Sequence, residues 1–118
     1  MISLRTIFFA CGLVLATGAV SANEEAAAEK ALPFEAKLAT CTACHGENGA
    51  KPILPEYPIL AGQHADFLAR ALRDYRDGHR NNVIMAAQLQ ALRLTDADID
   101  RLAAHFSVQA SPLSSLKR

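Results

Sequence analysis

The stretch Phe34-Glu35-Ala36-Lys37-Leu38-Ala39-Thr40-Cys41-Thr42-Ala43-Cys44-His45-Gly46 decides how the whole chain is read. Pro33 suits the first turn of a helix, Phe34 and Leu38 share one face four residues apart, and Gly46 ends it. The helix is expected over 34–44. It closes on C-x-x-C-H, the attachment pattern of c-type haem. Two cysteines three apart on a helix project from the same side, so both thiols can bond the two vinyl groups of one porphyrin. His45, one residue on, can bring an imidazole nitrogen to the iron from that side. Other chemistries also use C-x-x-C. A thioredoxin-like redox pair needs an α/β setting, and the chain carries no strand signal. A structural zinc site needs four ligands; Cys41, Cys44 and His45 supply three, with no second ligand pair downstream. A plain disulfide stays open to an exported protein.

Outward from that helix, residues 46–62 hold Gly46, Gly49, Pro52, Pro55, Pro58 and Gly62. That density forbids a helix and disfavours a strand. The same loop carries Ile53, Leu54, Tyr57, Ile59 and Leu60, so it has apolar surface to lay over something. Residues 65–77 form a second helix with Leu68, Ala71, Leu72 and Tyr75 on one stripe, stopped by Gly78. Residues 79–92 begin as a polar loop, pass through Val83-Ile84-Met85, and allow a short helix over 86–92. Thr95 caps the last helix. Asp98 stands at the third position of a capping box, with Asp in place of Glu or Gln, and Leu94 and Ile99 are placed for a hydrophobic staple. Ile99, Leu102, Ala103 and Phe106 form the apolar stripe of this helix. No internal repeat is present. The fold class is all-α, with three to five helices and long loops.

The chain has 118 residues, 51% hydrophobic and 20% charged, which fits one globular domain and argues against a second. Lys plus Arg equals Asp plus Glu at 12 each, so a nucleic-acid binder driven by bulk positive charge is not expected. The cysteine count is 3, an odd number that needs an explanation. Met1 to Thr6 carries one cation, Arg5; residues 7–20 are an apolar run containing Cys11; Val20-Ser21-Ala22 places small or apolar residues at a cleavage site. This is the layout of a secretory signal peptide over 1–22, its apolar run shorter than the roughly 20 residues of a spanning helix. The alternative is an uncleaved signal that anchors the protein to the membrane. Cleavage leaves 96 residues with 11 cations and 12 anions, net −1, and only Cys41 and Cys44 as cysteines. Residues 23–32 then read as a flexible lead, 33–108 as the domain, and 109–118 as a C-terminal tail. So small a chain has little core of its own, and a haem would fill its centre.

Beyond the C-x-x-C-H-G motif, Pro58-Ile59-Leu60-Ala61-Gly62-Gln63, Asp74-Tyr75-Arg76-Asp77-Gly78, Asn82-Val83-Ile84-Met85 and Leu94-Thr95-Asp96-Ala97-Asp98-Ile99 extend the pattern across 34–106. Together they resemble a class I c-type cytochrome, most closely a single domain of the bacterial dihaem cytochrome c-four group. The resemblance implies one covalent haem c through Cys41 and Cys44, wrapped by helices and long loops. It implies His45 and Met85 as the axial iron ligands, a Pro58 carbonyl that accepts the hydrogen bond of the ligand His, and Leu60 against the haem. By periodicity alone Met85 reads as a core residue; it and Met1 are the only methionines. One departure concerns position 83, where relatives often carry Pro and this chain has Val83, which leaves the Met segment less rigid. His64, His79 and His105 read as surface or partly buried histidines. Tyr57 reads equally as a haem neighbour and as ordinary core.

Arg70, Arg73, Arg76 and Arg80 recur at helical spacing away from the apolar stripe. Asp66–Arg70, Arg70–Asp74 and Arg73–Asp77 are each placed to pair along the helix. The stripe reads as a solvated face; the functional alternatives are a docking patch or an arginine that neutralises a haem propionate. The expected function is a soluble periplasmic one-electron carrier, not an enzyme, without small-molecule substrate or nucleic acid. Its partners would be a membrane respiratory complex or a periplasmic oxidoreductase. Two other readings stay open: a haem enzyme or gas sensor with an open iron site, and a haem subunit of a larger oxidoreductase.

Overall fold

The computed structural model describes residues 31–113; the signal-peptide reading of 1–22, most of the lead and the end of the tail lie outside them. Four α-helices run in the order α1 (Phe34–His45), α2 (Ala65–Arg76), α3 (Val83–Leu92) and α4 (Asp96–Ser107). A 3-10 turn, Glu47–Gly49, follows α1, and no strand occurs among the described residues. This is the all-α class expected from the sequence. Helix α2 packs most extensively on α4 and also meets α3.

Each helix end has a local cause. Pro33 is the residue just before α1 rather than its first turn. Gly46 ends α1 at φ 80°, and a Cβ there would lie 1.8 Å from the carbonyl oxygen of Lys51. Thr95 caps α4 with both halves of the capping box formed by Asp98, and Leu94 and Ile99 are buried in the same cluster. Helix α3 begins at Val83, three residues earlier than expected. The cause is Asn82, whose side-chain oxygen accepts from the backbone N–H groups of Ile84 and Met85, both at 3.0 Å. The Met segment is therefore a capped first helical turn and not a loose loop. Val83 stands at the first helical position, which is also where a proline fits best.

The core is small. Ile99 and Leu102 are fully buried, with Leu68, Ala69, Leu89, Leu92, Leu94, Ala103 and Phe106 around them. Phe34 and Leu38 bring α1 onto this cluster. Two polar contacts reinforce that approach. The Arg101 guanidinium lies 3.9 Å from the Phe34 ring centre. The Lys37 ammonium donates to Asp98 Oδ2 at 2.7 Å, although Lys37 is only 4% exposed. The same oxygen accepts from the Thr95 N–H and hydroxyl. One carboxylate thus caps α4 and anchors α1.

The expected ion pairs along α2 are replaced by pairs that cross to α4. Arg73 reaches Asp96 and Asp100, and Arg76 reaches Asp96 and its neighbour Asp77. The acidic first turn of α4 lies against the last turn of α2, so interhelical partners are nearer than those four residues along. These pairs are exposed and individually contribute little to stability.

Burial alone would raise the Asp98 carboxyl, but the hydrogen bonds from Lys37 and Thr95 outweigh it and hold the group at about 2, below its ordinary 3.8. A depressed carboxyl stabilises the fold above its unfolded value and stops doing so as pH falls through the folded one. The Lys37–Asp98 contribution should therefore be full above about pH 4 and fade towards pH 2. Asp98→Asn leaves a buried ammonium unpaired and should cost about 3 kcal/mol at neutral pH. Lys37→Met leaves Asp98 its Thr95 donors and should cost clearly less. Denaturant titrations at pH 7 and pH 3 check both the order and a flatter acid dependence in Asp98→Asn.

Candidate haem site

Helix α1 delivers Cys41, Cys44 and His45 to one wall of a cavity of about 440 Å³. That volume lies within the roughly 300–1,000 Å³ usual for cofactor sites. All six site residues expected from the sequence line this cavity: Cys41, Cys44, His45, Pro58, Leu60 and Met85. Leu68, Leu72 and Tyr75 of α2, Leu89 and Leu92 of α3, and Leu102 and Phe106 of α4 complete an apolar lining. The α2 stripe that looked like core thus faces the cavity, while Ala65 and Ala69 line a separate groove towards α4, whose Ala103 borders both. His64 and His79 are exposed; His105 is half-buried with its ring edge on Phe106; none of the three lines the cavity.

The loop over 46–62 is folded by its own backbone. The Gly49 carbonyl accepts from the N–H groups of both Leu60 and Ala61, at 2.8 and 3.1 Å. Gly49 has φ 69°, and a Cβ there would stand 2.9 Å from both Leu60 and the Phe106 ring. Only glycine lets the loop approach α4 so closely. The Ile53 N–H donates to the Cys44 carbonyl, and the Gln63 side chain donates to the Ile59 carbonyl.

This fold brings the Pro58 carbonyl oxygen to 2.8 Å from His45 Nδ1. His45 is 6% exposed. A carbonyl can only accept, so Nδ1 carries a proton, and in the neutral ring Nε2 is then the nitrogen with the lone pair. A neutral imidazole held in that tautomer is the form that binds a metal. The Tyr57 ring lies 6.2 Å from the His45 ring, tilted by 52°. Burial pushes the Cys41 thiol up to about 11, the nearby Cys44 adding to this and a backbone hydrogen bond opposing it. Until haem is attached, this thiol is therefore protonated at neutral pH.

The donor set fits one haem and little else. Two thiols and an imidazole stand on one wall, a thioether is elsewhere on the lining, and the remaining surface is mainly apolar. No cluster of three or more His, Cys, Asp or Glu placed to hold a bare metal ion occurs among the described residues. No described helix is long and apolar enough to cross a membrane.

An all-α domain closed round such a cavity, with C-x-x-C-H on its wall, is a c-type haem domain. The chain belongs to the cytochrome c family, whose sequence profile matches residues 34–107. It is 42% identical over 78 residues to cytochrome c-554(548) of Halomonas halodenitrificans, covering 64% of this chain and 90% of that protein. It is 40% identical over 83 residues to cytochrome c4 of Pseudomonas aeruginosa, covering 70% of this chain but 40% of that longer protein. Over 77 residues it is 42% identical to a thiosulfate dehydrogenase electron acceptor of Thiomonas intermedia, 34% of which it spans. The protein is a haem-binding electron-transfer protein with one covalently attached haem c.

Sequence reasoning missed two contributors. Asn82 is a capping residue immediately before an apolar run, a signal present in the sequence. Lys37 owes its role to Asp98, 61 residues away in the chain, for which no local signal exists.

Gly49→Ala should force apart the loop and Phe106 and cost about 2–4 kcal/mol. Cys44→Ala should leave at most one thioether and cripple holoprotein yield. Haem staining of denatured protein and thermal unfolding check the two variants.

Proposed function

We propose that the protein is a periplasmic one-electron carrier in which His45 and Met85 are the axial ligands of the haem iron. The observation that carries this reading is that His45 and Met85 line the same cavity, with His45 held on Pro58 so that Nε2 is its free nitrogen. Haem supplies one-electron redox chemistry when bound. The chain's part is to hold and shield it. Pro58 fixes the orientation of the His45 ring and raises its basicity. Leu60 packs on the cofactor and, with Leu68 and Leu72, keeps water from it. Asn82 sets the first turn of α3 and so the backbone that carries Met85. A thioether is a soft ligand that favours ferrous iron, so His/Met ligation raises the reduction potential relative to harder ligands. With His45 and Met85 both holding the iron, the haem would be closed to oxygen and peroxide.

The donor and acceptor would be respiratory membrane complexes or periplasmic oxidoreductases. A relative named as an electron acceptor of a dehydrogenase supports the second class. Periplasmic placement rests on the signal-peptide pattern of residues 1–22, with the mature protein soluble.

Met85→Ala separates this reading from an open-site enzyme or gas sensor. The variant should keep its covalent haem, lose the weak long-wavelength sulfur-to-iron charge-transfer band, and bind carbon monoxide rapidly when reduced. A wild-type protein that already lacks the band and binds carbon monoxide overturns the ligand assignment.

A further inference from the structure

The hydrogen bond to Pro58 locates one atom of the His45 ring, Nδ1. It sets the tautomer but leaves the imidazole able to pivot about that bond. A metal-binding imidazole needs its plane fixed as well as its proton. The aromatic ring that meets it is Tyr57, with ring centres 6.2 Å apart and planes tilted by 52°. That separation is inside the roughly 4.5–7 Å range of aromatic pairs that attract beyond simple burial.

The chain holds Tyr57 there through a segment fastened to the end of α1 at both of its own ends. The Ile53 N–H donates to the Cys44 carbonyl at 3.1 Å. The Pro58 carbonyl accepts from His45 at 2.8 Å. Between these anchors the Tyr57 N–H donates to the Leu54 carbonyl at 3.1 Å and closes a turn. Pro58 restricts the backbone of Tyr57 from the other side. Ile53, Leu54, Pro55 and Glu56 are exposed, whereas Tyr57 is half-buried and, like His45, lines the haem cavity. The Tyr57 hydroxyl bonds to no described residue, so its ring is what the site uses.

We infer that Tyr57 is a positioning residue for His45: its ring blocks the pivot about the Nδ1 bond and so sets the plane in which the imidazole meets the iron. This rests on His45 as an iron ligand, the reading proposed above, and not on Met85. The plane matters electronically. It decides which iron d orbital overlaps the imidazole π system, and hence how the unpaired electron of ferric iron spreads over the pyrrole rings. The shifts of the haem methyl protons in the ferric protein report that distribution. A flat ring holds the plane; an aliphatic side chain of similar bulk covers the same space without holding it.

The test is proton NMR of oxidised, haem-loaded wild type, Tyr57→Phe, Tyr57→Leu and Leu54→Ala. Tyr57→Phe should keep the order and spread of the methyl resonances. Tyr57→Leu should redistribute them, and Leu54→Ala, which trims an exposed side chain of the same turn, should match wild type. An unmoved pattern in Tyr57→Leu overturns the inference. So does an equal change in Tyr57→Phe, which would assign the effect to the hydroxyl, or in Leu54→Ala, which would assign it to general disturbance of the turn. Should Tyr57→Leu yield no holoprotein, nuclear Overhauser contacts in the wild type decide: their presence between the Tyr57 and His45 ring protons supports the inference, and their absence overturns it. The ligand reading is checked in the same wild-type spectrum. Without strongly iron-shifted His45 ring protons that reading fails and the inference falls with it; with them, a failure in Tyr57→Leu counts against Tyr57 alone.

Discussion

The hydrogen bond from the Nδ1–H of His45 to the Pro58 carbonyl ties the haem-attachment helix to the loop that covers the site. It requires α1 to end where it does, because His45 is the last residue of that helix and Gly46 turns the chain away. It also requires the loop to return under α1, which the paired acceptance of Leu60 and Ala61 by Gly49 enforces. The bond then sets the imidazole tautomer and aims its second nitrogen away from the loop. Helix termination, loop closure and ligand chemistry are thus one constraint. Moving Pro58 by one residue would replace an oriented acceptor with another peptide group and leave a buried imidazole N–H without a partner.

Away from the cavity lining, the contact between the first and last helices solves a different problem. Helix α4 needs its N-terminal donors satisfied, and α1 must be held beside it. Asp98 serves both, accepting from Thr95 within the cap and from Lys37 across the helices. A buried ammonium in a small core is costly unless its partner is fixed in advance. The capping box fixes it, since Asp98 is oriented by Thr95 through contacts only three residues apart. The long-range contact is built on a local one.

The same difference in range explains what could be read from the chain alone. The Thr95 cap, the α2 and α4 stripes, Gly46 as a stop and the C-x-x-C-H wall are local patterns, and each was legible. The clustering of Cys41, Cys44, His45, Pro58, Leu60 and Met85 on one cavity was legible only through resemblance to a family, because the segments 41–45, 58–60 and 85 have no periodic link. The ion pairs were misplaced along α2 because sequence spacing weighs only partners on the same helix, whereas Asp96 and Asp100 arrive from α4. The early start of α3 was misread for another reason: Val83 and Ile84 are poor guides to a helix, and the deciding atom is the Asn82 side-chain oxygen.

The division of the lining between protein and cofactor bears on how this fold is held together. Among the described residues the large side chains that are fully buried are Ile99 and Leu102, and both belong to α4. Leu60, Leu72 and Tyr75 are half-buried and face the cavity, so haem contact completes their burial. At about 25 cal/mol per Å² of apolar surface, that contact is a large share of what so small a domain can gather. A cofactor held by mass action would make such stability depend on its concentration. Two thioethers remove that dependence, because the haem is part of the chain and cannot leave when the fold opens. Covalent attachment at Cys41 and Cys44 therefore makes the cofactor's share of the core as permanent as that of Ile99.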